Sequence, residues 1–198
     1  PFIAMVLAGI GIMFSNAQFW GKVYDVFRLP TTYSILELIS TFNLFFIIII
    51  VSYTGELIWK ERDVKMNLIY DAMPYPNFVT IAGKFLSMVY VFFLLLILLM
   101  FSGMIIQLFS GYTNFEIGLY ISRLFSETLS FLILFTFLGF LIHTLVNHKF
   151  IGHAIFIMFF IGTLVLSEMG IEHSLFHFAE SDLGQYSDMN GNGHYVSP

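Results

Sequence analysis

Charge is what this sequence has least of. Its 198 residues include 8 Lys and Arg and 13 Asp and Glu, so charged side chains make up 11% of the chain. A soluble domain carries about 25%. A chain of this size that met water on every side would need more polar cover than it has. That excludes a water-soluble globular enzyme and a disordered tail. The net charge of −5 excludes a nucleic-acid binder, which needs a basic face. Cysteine is absent, which excludes a disulfide framework, a thiolate nucleophile and Cys-based zinc or iron–sulfur sites. Two motifs are missing as well. Gly83-Lys84 is followed by Phe85 and lacks the upstream glycine of a phosphate-binding loop, so ATP does not bind here through that motif. His-Glu-x-x-His does not occur either, so no metallopeptidase helix of that kind is present.

Apolar residues fill the space that charge leaves. They make up 58% of the chain, and Phe alone supplies 25 residues, more than all the charged side chains together. A helix needs about 20 mainly apolar residues to cross a hydrocarbon core about 30 Å thick. Only helices and closed barrels satisfy their backbone groups in lipid. Barrel strands alternate apolar and polar residues, whereas these runs are apolar all round, so the reading is helical. Five uncharged stretches qualify as spans: about 1–14, 33–57, 85–109, 129–146 and 150–167. The expected fold is an all-α polytopic membrane helical bundle. Asn147-His148-Lys149 should turn the last two spans into a tight hairpin. Lys and Arg concentrate on the loops that face the cytoplasm. Lys60, Arg62, Lys65, Lys84 and Lys149 against Lys22, Arg28 and Arg123 place 59–84 and 147–149 inside, and 15–32, 110–128 and 168–198 outside.

The charges are unevenly placed. Glu56, Lys60, Glu61, Arg62, Asp63, Lys65, Asp71 and Lys84 lie in one short segment. Glu56/Lys60 and Glu61/Lys65 have the i,i+4 spacing, acid first, that favours a helix. Pro74 and Pro76 should stop that helix. The expected structure is a helix leaving the membrane, followed by an amphipathic piece at its surface. Mixed signs suit recognition of a protein better than recognition of anionic lipid.

Along this segment the run Gly-Glu-Leu-Ile-Trp-Lys-Glu-Arg-Asp (55–63), then Tyr-Asp-Ala-Met-Pro-Tyr-Pro-Asn (70–77), then Gly83-Lys84 resembles the first cytoplasmic loop of type-2-class ABC transporter permeases. More narrowly, it resembles the bacterial branch in which the permease is fused to a zincin-like aminopeptidase domain. The stretches 108–120 and 186–195 share that resemblance, which covers roughly 33–198. The resemblance implies a permease subunit in the bacterial inner membrane that pairs with a second permease half and an ATP-binding cassette subunit. ATP would sit on that partner, with no cofactor in this chain and no catalytic residue. It further implies that Glu56, Lys60, Glu61, Arg62, Asp63 and Asp71 belong to the loop that receives the motion of the ATPase. Six helices are implied, so a sixth should begin past Pro198. The chain reads as a stretch of a longer polypeptide that continues at both ends.

Histidine offers other readings. His143, His148 and His153 surround the last hairpin. On one helix a spacing of five would splay them by about 140°. Across a hairpin, His143 and His153 are about equally far from the turn and can face each other at one depth, the arrangement a bis-His haem or a metal pair requires, or they can pack as hydrated polar residues near the interface. A membrane redox subunit is therefore the alternative reading, and a membrane anchor for the aminopeptidase domain is another. His173 and His177 are i,i+4, a spacing used by zinc sites, and are weak metal candidates. Asn43, Gln107 and Glu37 are the polar residues in or near the spans, suited to hydrogen bonding between helices or to a substrate path. Ala4, Ala8, Gly11 and Ser15 suggest close packing by the first helix.

Overall fold

The computed structural model describes residues 2–20, 22–23, 26–27, 31–66, 76–168 and 178–179. It divides into two compact units, Pro1–Phe156 and Ile157–Pro198. The chain is all-α apart from a two-residue antiparallel ladder. Helix α1 (Phe2–Trp20) leads to that ladder, β1 (Lys22–Val23) against β2 (Val26–Phe27). Helices α2 (Thr32–Ser40), α3 (Asn43–Asp63) and α4 (Asn77–Phe109) follow. A short α5 (Ile117–Ile121) runs through a π-helical turn, Ser122–Thr128, into α6 (Leu129–Leu145), and α7 covers Lys149–Glu168. Among the described residues, four helical runs are long and apolar enough to cross a bilayer: Thr32–Asp63, Phe78–Phe109, Ile117–Leu145 and Lys149–Leu166. The 19-residue α1 is also strongly apolar. The protein is a multi-pass membrane protein.

Three boundaries differ from the sequence reading. The second span is broken at Thr41-Phe42, where the Thr41 hydroxyl donates to the Leu38 carbonyl at 2.6 Å and the Phe42 amide to the Ile39 carbonyl at 2.9 Å. Ser and Thr hydroxyls that bond backward in this way compete with the α-helical ladder and tighten the turn. Secondly, α4 starts at Asn77, so Lys84 is a helix residue and not the end of a loop. Pro76 precedes the helix in an extended conformation, a position where its missing N–H costs nothing. Thirdly, α3 stops at Asp63 and Lys65 takes φ 56°, so Glu61 and Lys65 do not share a helix.

Within Pro1–Phe156, α6 packs on α3 and α4, and α2 packs on α4 and α5. The core is aromatic. Phe46 meets Phe92 edge-on at 6.1 Å, and Phe135 meets Phe156 at 6.2 Å. Buried hydroxyls bond the carbonyl four residues back: Thr54 to Ile50 at 2.7 Å and Thr136 to Leu132 at 2.6 Å. That is how lipid-embedded helices carry polar side chains without leaving them unpaired. Leu86, Phe93, Phe101 and Phe137 are exposed, a surface suited to acyl chains and not to water. In α1, Gly9 makes the close approach, since a Cβ there would come within 2.6 Å of Phe42 Cζ. Ala8, Gly11 and Ser15 are exposed.

Within Ile157–Pro198, α7 runs to Glu168. The Thr163 hydroxyl donates to the Phe160 carbonyl at 2.7 Å, and the rings of Phe159 and Phe178 meet edge-on at 5.4 Å.

Candidate functional site

The end of Pro1–Phe156 where α3 stops and α4 begins gathers the charges. α3 is 21 residues long and carries Lys60 and Arg62 in its last turn, where cations suit the helix dipole. After Asn43 the helix is apolar or hydroxylated as far as Gly55, and its charges begin at Glu56. Two ion pairs fix that charged end to other helices. The Lys84 ammonium on α4 donates to the Glu61 carboxylate at 2.6 Å, with the two side chains 16% and 34% exposed. The Lys149 ammonium, first residue of α7, donates to Glu56 at 2.6 Å. The Arg62 guanidinium lies 4.9 Å from the centroid of the Trp59 ring, within cation–π range. Lys60, Arg62 and Asp63 remain exposed. Of the six residues expected in a coupling loop, five therefore lie on the last two turns of α3, while Asp71 lies outside the described residues. Glu56 pairs with Lys149, and not along its own helix with Lys60.

Beside the Glu56–Lys149 pair, the two hairpin histidines meet. The ring centroids of His143 and His153 are 4.8 Å apart with planes at 74°, so the facing arrangement expected across the hairpin is present. Their close seating depends on glycine. A Cβ at Gly55 of α3 would overlap the His153 imidazole, with Nε2 at 2.8 Å. A Cβ at Gly152 would overlap His143, with Cε1 at 2.6 Å. Gly139 completes the contact, with a virtual Cβ 3.0 Å from the Thr54 side chain. The three glycines were not anticipated, although small residues inside apolar runs are the sequence signal for close helix approach.

Haem does not fit between these two rings. Metal–nitrogen bonds of about 2 Å on opposite faces of a macrocycle would set the ring centres about 6 Å apart. Rings already in edge contact at 4.8 Å leave no slot for the macrocycle.

The opposite end carries a second polar cluster. Gln107 of α4 is fully buried; it accepts from the Tyr120 hydroxyl at 3.0 Å, and its amide donates to Thr32 Oγ at 3.4 Å. One side chain thus joins α2, α4 and α5. Asn43 and Glu37 are exposed and take no part in this cluster. Among the described residues, no group of three or more His, Cys, Asp and Glu converges as a metal site. His173 and His177 lie outside the described residues.

No protein-family model, no curated protein and no solved structure matches this chain.

Proposed function

We propose that the protein is a permease subunit of an ATP-driven transporter and that the exposed end of α3 is where an ATP-binding cassette partner engages it. One observation carries the reading. The same two turns of α3 that expose Lys60, Arg62 and Asp63 are tied by Glu61 to α4 and by Glu56 to α7. A push on the exposed charges therefore passes into two other helices instead of being lost in a free loop. A loop whose charges served only to fix topology would have no need of ion pairs to two separate helices. The resemblance of 55–63, 70–77 and Gly83-Lys84 to the coupling loop of type-2-class permeases favours the same reading.

In this mechanism the chain hydrolyses nothing itself. The partner closes on ATP, α3 is displaced, and the helices fixed to it reorganise access across the membrane. The bilayer in question is the bacterial inner membrane, with the charged end facing the cytoplasm, as the Lys and Arg distribution favours. A second permease half completes the pore.

The test is purification of the full-length protein from its native membrane in mild detergent, followed by assay of ATP hydrolysis on the eluate. The reading expects a nucleotide-labelled ATPase subunit to co-purify and to hydrolyse ATP. A eluate without nucleotide-binding protein and without hydrolysis above background overturns it.

A further inference from the structure

His143 is fully buried, and neither of its ring nitrogens has a partner among the described residues. Nδ1 of His153 is buried and unpaired as well. Leaving buried polar atoms without partners is costly, and here three of them lie in two touching rings. We infer that His143 and His153 share one transition-metal cation of the class that prefers imidazole, Zn²⁺ above all, with Glu56 supplying a third ligand when it exchanges Lys149 for the metal.

The geometry that rejects haem suits a single shared ion. Two imidazoles on one tetrahedral metal, with bonds of about 2.0–2.1 Å, hold their ring centres about 5 Å apart. The observed separation is 4.8 Å, with the ring planes inclined at 74°. Neutral imidazole is the commonest metal ligand and suits zinc, copper, nickel and iron. A ligating His also passes its other N–H to a carbonyl or carboxylate, which fixes the ring. Gly55 and Gly152 admit both rings where any larger residue would displace them. Glu56 follows Gly55 directly and has a side chain 55% exposed, which gives the ion a way in from solvent. In this structure Glu56 faces Lys149, so the carboxylate has to leave that pair before it can serve as a third ligand. Lys149 competes with the metal for that carboxylate.

The inference is independent of the transport reading, because its readout is metal and not ATP. The full-length protein, stripped with chelator in detergent, is titrated with Zn²⁺ and with Co²⁺ and then gel-filtered for metal analysis. One metal per chain is expected to remain. His143→Gln and His153→Gln should each weaken binding more than tenfold, and Lys149→Met should tighten it. Since the sequence has no cysteine, His143→Cys should give Co²⁺ a thiolate charge-transfer band that no other residue can produce, provided the variant remains monodisperse. His173→Ala with His177→Ala should leave binding unchanged. Wild-type protein that retains no metal overturns the inference. So does metal that survives both His143→Gln and His153→Gln, or that is lost with His173 and His177.

Discussion

The Lys149 ammonium donates to the Glu56 carboxylate at 2.6 Å across 93 residues of sequence. The bond joins the first residue of α7 to α3, at the level where Gly55 receives the His153 ring. The charged end of α3 is therefore held on one side by α7 and on the other by α4, through Lys84 and Glu61. Part-exposed ion pairs of this kind contribute about 0.2–1 kcal/mol each. Their value here is positional: they fix the charged end of α3 to α4 and to the start of α7.

Reversing one charge of the inner pair should show this. Lys84→Glu places two carboxylates together and should lower stability by about 1 kcal/mol, with Glu61→Lys in the same chain restoring most of it. Thermal unfolding of the single and double variants in detergent checks the coupling. Additive losses would mean that the two side chains do not meet.

Filling the glycine notch should be costlier. Gly55→Val drives two methyl groups into the His153 ring, and overpacking of a tight contact costs about 1–3 kcal/mol. A shortened partner should relieve it, so Gly55→Val with His153→Ala is expected to unfold at a higher temperature than Gly55→Val alone. Equal melting temperatures for Gly55→Val and wild type would show that α3 and the α6–α7 hairpin are not in contact at this point.

The far end offers a separate test. Tyr120→Phe removes the hydroxyl that donates to Gln107 Oε1 and leaves a buried amide oxygen short of one donor. Hydrogen bonds between membrane helices contribute about 0.6 kcal/mol on average and up to about 1.7 kcal/mol. A loss of about 1 kcal/mol in unfolding free energy is expected, with no effect on any property of the charged end.

Much of the architecture was legible because lipid imposes so narrow a choice. Runs of 20 apolar residues have to be helices, so α4, α6 and α7 emerge from the sequence with their C-terminal bounds within about a residue. The turn at Asn147-His148-Lys149 was equally plain, and it left His143 and His153 able to meet, which the structure shows they do. The break after α2 was not legible, since Ser40 and Thr41 are too weak a signal inside a run that is apolar on both sides. Pro76 also stands at the start of α4, since the residue type fits either end of a helix boundary, while the amphipathic piece expected before it lies outside the described residues. The partners of Glu56 and Glu61 were hidden for a simpler reason. Helix spacing gives each acid a Lys four residues on, whereas the tertiary contacts bring Lys149 and Lys84 closer, and nothing local in the sequence records a contact across 93 residues. The three glycine notches had a signal, glycine inside an apolar run, but their partners could not be read.

The central claim is that the exposed end of α3 transmits work from an ATPase, and ATP hydrolysis by the purified complex in proteoliposomes tests it most directly. Arg62→Glu with Asp63→Lys reverses two exposed charges and touches neither the Glu61–Lys84 nor the Glu56–Lys149 pair. The account predicts that the variant folds, losing no more than about 1 kcal/mol with the exposed Arg62–Trp59 contact, while hydrolysis in the complex falls about tenfold, the effect of losing about 1.4 kcal/mol at the contact with the ATPase. Hydrolysis unchanged by the double reversal, with the same subunits present, would contradict it.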